Sequence, residues 1–209
     1  MKKLYIFFVN NIIGRIEFTS LKYLFTGRYF DLTREDVNFL CNCLQSDRYF
    51  GLLRRKVHLT TYLISIGHFI LTGKFGYWSH IWANVEDDEA DQLSIDIIEA
   101  VGKGVIVSPF WDVLNCDAIC LLKPKYINDE QWEKVAKEIR GFVGKKYDSF
   151  FNINNPDELS CEELLYWGIM SVDDKALPGL NRLIKKYGNF TPDMIYSCGD
   201  FMICAEIRR

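Results

Sequence analysis

The sequence has no Cys-x-x-Cys pair, no internal repeat, no Gly/Ser-rich linker and little proline or histidine, five and three of 209 residues respectively. Each absence excludes something. Without Cys-x-x-Cys spacing there is no zinc ribbon and no thioredoxin-type redox motif. Few prolines and 14 glycines exclude a collagen-like or low-complexity chain. A net charge of −3 is too small to mark a polyanion-binding protein, so no nucleic-acid partner is expected. The longest stretch free of Lys, Arg, Asp and Glu, from Val57 to Gly73, contains His58, Thr60, Thr61, Ser65 and His68. It falls short of the roughly 20 apolar residues of a spanning helix and reads as a buried helix.

What is present describes a globular chain: 49% hydrophobic, 15% aromatic and 25% charged residues, enough to bury a core without a disulfide or metal staple. Seven cysteines leave at least one thiol free in a monomer, a usage that suits a reducing, cytoplasmic compartment. Met1-Lys2-Lys3 and the apolar Leu4 to Val9 imitate a signal peptide, but Asn10-Asn11 interrupts them and no small-x-small cleavage site follows. Charge divides the chain: residues 1–60 carry ten Lys/Arg and five Asp/Glu, and residues 61–209 carry 15 and 23. Residues 1–58 therefore read as a mostly helical N-terminal extension packed on a main domain of residues 59–209.

Thr33-Arg34-Glu35-Asp36 resembles a capping box before a helix carrying Val37, Leu40, Cys41 and Leu44 on one face. A second helix follows, with Leu59, Leu63, Ile66 and Ile70 as its buried side and Gly73 as its stop. After Gly76 the period becomes two, placing Ser79, Ile81, Ala83 and Val85 on one strand face and Trp78, His80, Trp82 and Asn84 on the other. Further strands are expected over 94–100, 104–108, 118–122 and 201–207, and helices over 129–143 and from Cys161 to about Val172. Strands followed by helices, without strict alternation, indicate an α+β domain with an antiparallel sheet.

Two residues stand out chemically. If His80 lies opposite Glu99, Val85 pairs with Ser94, the loop is residues 86–93, and the two side chains share a face. A carboxylate beside an imidazole fixes its tautomer and stabilises the imidazolium. The same pair also describes an ordinary half-buried histidine, and the residues alone leave both readings open. Cys161 follows Ser160 at the first turn of a helix, where unpaired backbone N–H groups favour a thiolate. Glu162 and Glu163 oppose that effect, so a nearby imidazolium would be needed. Cys41, Cys43, Cys116, Cys120, Cys198 and Cys204 lie in or beside helices and apolar strands, as structural thiols do.

From Thr60 onward the order of motifs resembles the permuted papain-like cysteine hydrolases of the YiiX type, relatives of the NlpC-type cell-wall peptidases. The matching segments are Trp78-Ser79-His80, Ile98-Glu99-Ala100 with Gly104-Val105, Gly144 to Phe151 with Tyr147-Asp148, Cys161-Glu162-Glu163 and Thr191-Pro192-Asp193. They cover the whole main domain. The resemblance implies a permuted papain-like α+β fold, with Cys161 as nucleophile, His80 as general base and acid, and Glu99 orienting His80. Tyr147 would line the site or donate to an oxyanion, and Trp78 and Trp82 would form an apolar wall for substrate. It implies no metal and no cofactor. The family's Ser after the cysteine is Glu162 here, which predicts a raised thiol pKa.

The expected activity is hydrolysis of an amide bond through a thioacyl-enzyme, on a small peptide, a peptidoglycan fragment or an amino-acid amide. The alternatives are lipid-directed acyl hydrolysis or transfer, with membrane-surface contact through the N-terminal extension, and a catalytically inactive binding protein of the same fold. His80 and Glu99 should be cross-strand neighbours, with the Cys161 sulfur within hydrogen-bond reach of the His80 ring.

Overall fold

A computed structural model describes residues 32–55, 59–85, 95–149 and 151–209. The signal-like start, the 86–93 loop and Ser94 lie outside the described residues. Helix α1 (Arg34–Ser46) opens on the expected capping box: the Thr33 side chain accepts from the Asp36 N–H, and Asp36 accepts from the Thr33 N–H. Then come β1 (Tyr49–Arg54), α2 (Leu59–Thr72), β2 (His80–Asn84), β3 (Asp96–Val101), β4 (Gly104–Pro109) and β5 (Ala118–Pro124). Helices α3 (Asp129–Gly141), α4 (Cys161–Met170), α5 (Pro178–Tyr187) and α6 (Pro192–Ser197) precede the last strand, β6 (Phe201–Arg208). Six antiparallel strands form one sheet in the order β4-β3-β2-β1-β5-β6. The α+β class is as the sequence implies.

Helices cover both faces of the sheet. On one, Phe50, Leu52, Ile81, Ala83, Ile98, Ala100, Cys120 and Leu122 pack against Trp132, Val135 and Ile139 of α3 and Leu164 and Leu165 of α4. On the other, Leu53, Trp82, Ile97, Ile119 and Leu121 meet Leu40 and Leu44 of α1 and Phe110. Each fully buried large apolar side chain contributes roughly 1.5–3 kcal/mol.

Three expectations change. Residues 49–54 lie within the expected extension, yet they form β1, which pairs with both β2 and β5 at the centre of the sheet. A strand buried on both faces lacks polar alternation, so Tyr49-Phe50-Gly51-Leu52-Leu53 carries no period-two signal. Helix α2 is also turned the other way about. Ile66 and Ile70, expected inside, are 39% and 60% exposed, whereas Thr61 and His68 are buried. Its polar groups bind the domain: Ser65 Oγ donates to the Gly76 carbonyl (2.8 Å), and His68 Nδ1 is hydrogen-bonded to Thr191 Oγ1 (2.7 Å). Finally, Trp78 and Trp82 do not share a face. Regular strand begins only at His80, and the two indoles enter different cores.

Candidate functional site

The segment leading to His80 is held by backbone contacts on two sides. Asp193, at the start of α6, accepts the Tyr77 N–H on Oδ1 (2.8 Å) and the Trp78 N–H on Oδ2 (3.0 Å). Ser79 donates both its N–H (2.9 Å) and its hydroxyl (3.2 Å) to the Leu53 carbonyl of β1. A side chain at Gly76 would meet Asp193 Oδ2 at 2.7 Å, so this approach requires glycine. Asp193 of the Thr-Pro-Asp motif thus fixes the chain just ahead of His80, while Thr191 holds α2 through His68, roles that their distance in sequence concealed.

Across β2 and β3 the register is Trp82↔Glu99 and Ala83↔Ile98. The expected His80↔Glu99 pairing is therefore displaced by two residues. A two-residue shift preserves the face, and Glu99 reaches back diagonally: His80 Nε2 donates to Glu99 Oε2 at 2.7 Å. Burial alone would raise the Glu99 carboxyl. The His80 hydrogen bond and charge, the Ser108 hydroxyl and the Arg55 charge outweigh it and hold Glu99 at about 2. An ionised carboxylate only accepts, so Nε2 carries the proton and Nδ1 is the ring nitrogen left over. Among the described residues Nδ1 has no hydrogen-bond partner, and the ring keeps 16% exposure.

Cys161 occupies the first position of α4. Ser160 caps the helix with its side chain on the Glu163 N–H (3.4 Å), and Glu163 Oε2 accepts the Ser160 N–H (2.8 Å). The thiol is 3% exposed and packs in the core that holds Ile81, the residue after His80. It donates to Glu162 Oε2 at 3.3 Å, not to His80 as the sequence reading expects. Strand alternation explains the difference: His80 and Glu99 belong to the Trp82 face of β2 and β3, while Cys161 lies with Ile81 and Ala83. His80 begins its strand at the rim of the sheet, and its charge still reaches the buried Glu162 carboxylate, favouring ionisation there.

Burial raises the Cys161 thiol well above its ordinary range, and the charge of Glu162 adds to the rise; the backbone N–H groups of Ile81 and Glu162 oppose it. Burial likewise raises Glu162, and it pushes Glu163 up to about 8 with help from the charges of Asp148 and Glu162. Glu163 Oε1 is buried without a hydrogen-bond partner among the described residues, as suits a protonated carboxyl. Burial also lifts the Tyr147 phenol, and the charges of Cys161, Glu162, Glu163 and Asp148 add to the rise. Trp78 and Trp82 are 1% and 0% exposed, which makes them core residues in this conformation rather than an open wall. Cys161, His80, Glu99, Tyr147, Trp78 and Trp82 are the residues that the sequence marks. In sequence Glu162 is only a charge beside Cys161, and no local pattern announces its direct hold on the thiol.

No family model and no curated protein matches the chain. The fold is similar to the crystal structure of metalloprotein YiiX from Escherichia coli O157:H7, with a TM-score of 0.58 and 15% identity, over 78% of this chain and 98% of that one. Among the described residues, no three His, Cys, Asp or Glu side chains gather into a group suited to a metal ion. What the comparison establishes is a shared YiiX-like fold.

Proposed function

We propose that this protein is a cysteine hydrolase that cleaves an amide bond through a thioacyl-enzyme. The observation that carries the reading is the His80 Nε2–Glu99 Oε2 pair at 2.7 Å, on the strand against which the N-terminus of α4 sets Cys161. Glu99 holds the imidazole by one nitrogen and stabilises its charged form, which leaves Nδ1 as the base.

In this mechanism the Cys161 thiol gives its proton to Glu162 Oε2, to which it already donates, and the carboxyl passes it on to His80, whose charge reaches Glu162 from the rim of the sheet. The thiolate attacks the carbonyl carbon, and the oxyanion is met by the Cys161 backbone N–H, a first-turn donor with no acceptor within the helix. His80 returns the proton to the leaving nitrogen as the C–N bond breaks, giving a thioester and a free amine. It then takes a proton from water as the water attacks the thioester. The acid departs and the thiol is restored. By resemblance, Tyr147 would line the site or donate its hydroxyl to the same oxyanion. By resemblance the substrates are peptides, peptidoglycan stem peptides or amino-acid amides.

A second reading, a binding protein that kept the fold, is favoured by one observation: the thiol is buried and its proton is held by Glu162. Mass spectrometry after exposure to peptidoglycan fragments, amino-acid amides and phospholipids separates the two. A thioacyl adduct on Cys161 supports the hydrolase. No adduct with any class, together with unchanged behaviour of Cys161→Ala, sinks it.

A further inference from the structure

Arg54 ends β1, Arg208 ends β6, and both pair with Ala118 of β5, the strand between them. Directly opposed residues point to one face of a sheet, so the two guanidiniums flank a side chain that is only a methyl group. Tyr77 meets them there: its ring centroid lies 4.2 Å from Arg54 Cζ and 4.6 Å from Arg208 Cζ. The negative face of the ring attracts each cation. Arg208 is also anchored by its Nε on Glu206 Oε1 and by its Nη2 on the Tyr196 hydroxyl (3.2 Å). Arg54 Nε is buried with no hydrogen-bond partner among the described residues, a cost that contact with the ring offsets. Arg54 acts on Asp193 as well. Burial raises that carboxyl, and the Tyr77 N–H, the His68 charge, the Trp78 N–H and the Arg54 charge oppose the rise.

The residue that depends on this clamp is His80. Strand β2 pairs with β3 only at Trp82 and Ala83, so His80 has no ladder partner on that side and meets Glu99 by a diagonal reach. Its place is set by Leu53 of β1 and by the chain ahead of it. Residues 77–79 lie outside the strand, yet each backbone N–H is taken, the first two by Asp193 and the third by the Leu53 carbonyl. Arg54 follows Leu53, so two adjacent residues of β1 hold the Ser79 backbone and the Tyr77 ring. Trp78 continues the stack, with its indole 5.1 Å from the Tyr77 ring and 5.6 Å from that of Tyr196. A ring gripped by two cations is fixed in tilt as well as in place, which apolar filling alone does not achieve.

We infer that Tyr77, Arg54 and Arg208 are positioning residues for His80, which hold its imidazole where Nε2 meets Glu99 and Nδ1 stays open. The importance of that placement for catalysis rests on the hydrolase proposed above; the placement itself is measurable without it.

The test is ring-nitrogen NMR of the full chain, with the His80 signals identified as those lost in His80→Gln. The neutral ring of the original should show the Nε2–H tautomer alone, because Glu99 accepts from that nitrogen. Tyr77→Leu should turn this into a mixture of both tautomers, and so should Arg208→Gln, which changes an exposed residue and spares the core. Tyr77→Phe keeps the ring and should keep the single tautomer. With amino-acid amides as the probe, Tyr77→Leu and Arg208→Gln should form the Cys161 thioacyl adduct about tenfold more slowly or worse, and Tyr77→Phe at the original rate. Melting temperature does not decide the matter, since any loss of packing lowers it. Two results overturn the inference: Arg208→Gln retains the single tautomer, or Tyr77→Phe loses it as fully as Tyr77→Leu does. If the original protein forms no adduct, the hydrolase fails and the ring spectra still decide the clamp. If adduct forms at one rate in every variant while the tautomer changes, the hydrolase stands and the clamp has no part in it.

Discussion

Glu99 pairs across the sheet with Trp82, yet its carboxylate holds His80, two residues along the same face of β2. The diagonal reach places an ionised group against the imidazole while the Trp82 indole closes the core beneath it. Glu99→Gln should therefore lower the proposed hydrolysis by about 10²–10⁴-fold, because the imidazole loses both its orientation and the charge that stabilises its protonated form. The carboxyl at about 2 lies below its ordinary 4.5. Its stabilisation is complete above pH 4.5 and is lost as pH falls towards 2, by an amount on the order of 2–3 kcal/mol. Chemical denaturation of wild type and Glu99→Gln from neutral to acid pH should show the gap between them closing over that interval.

The thiol of Cys161 is kept protonated first by burial and then by Glu162. Glu162→Ser removes the second cause and leaves the first. Alkylation of Cys161 by iodoacetamide at neutral pH should speed up by about tenfold for each unit that the thiol pKa falls. Peptide mapping of the modified cysteine reads this directly; an unchanged rate would mean that burial alone governs the thiol.

Glu163 is buried and protonated in the folded protein up to about pH 8. Its carboxyl is raised above the ordinary 4.5, so the folded state binds the extra proton, and stability falls as pH rises from 4.5 through 8. Glu163→Gln keeps an acceptor for the Ser160 N–H and cannot ionise. Below pH 4.5 it should match the original, and above pH 8 it should be more stable by about 1–3 kcal/mol. Urea melts at both ends of the range test this.

Gly51 of β1 lies opposite Trp82, and a Cβ there would fall 2.0 Å from the indole. Gly51→Ala should cost about 1–3 kcal/mol or more through overpacking. Because the indole is rigid and shares its strand with His80, the near-ultraviolet circular dichroism should change together with the melting temperature.

Much of this fold was legible from local patterns. The capping box at Thr33 and the first turn read at Cys161 begin helices, and the apolar stripe of Trp132, Val135, Ala136 and Ile139 faces a core. The period-two segment around His80 is a strand, although a shorter one than its pattern suggests. The pairing of His80 with Glu99 was legible too, since parity decides the face and a slip of two residues leaves it unchanged. Strand β1 was not, because burial on both sides erases alternation. Helix α5 went unrecognised although Pro178 and Gly188 punctuate it and Leu180, Leu183, Ile184 and Tyr187 face the core at helical spacing.

By itself, the sequence determined the type of most elements, the starts of the helices at Arg34, Asp129 and Cys161 and the shared face of His80 and Glu99, since these depend on residues a few positions apart. Only the tertiary structure decided the register of β2 on β3, the outward turn of α2 and the partner of the Cys161 thiol. Register depends on the path of a hairpin loop that strand alternation does not specify. The outward turn of α2 follows from His68 meeting Thr191, 123 positions away in the chain. The thiol's partner depends on how deeply the first turn of α4 sinks against Ile81, which sets whether Glu162 or water lies beside the sulfur.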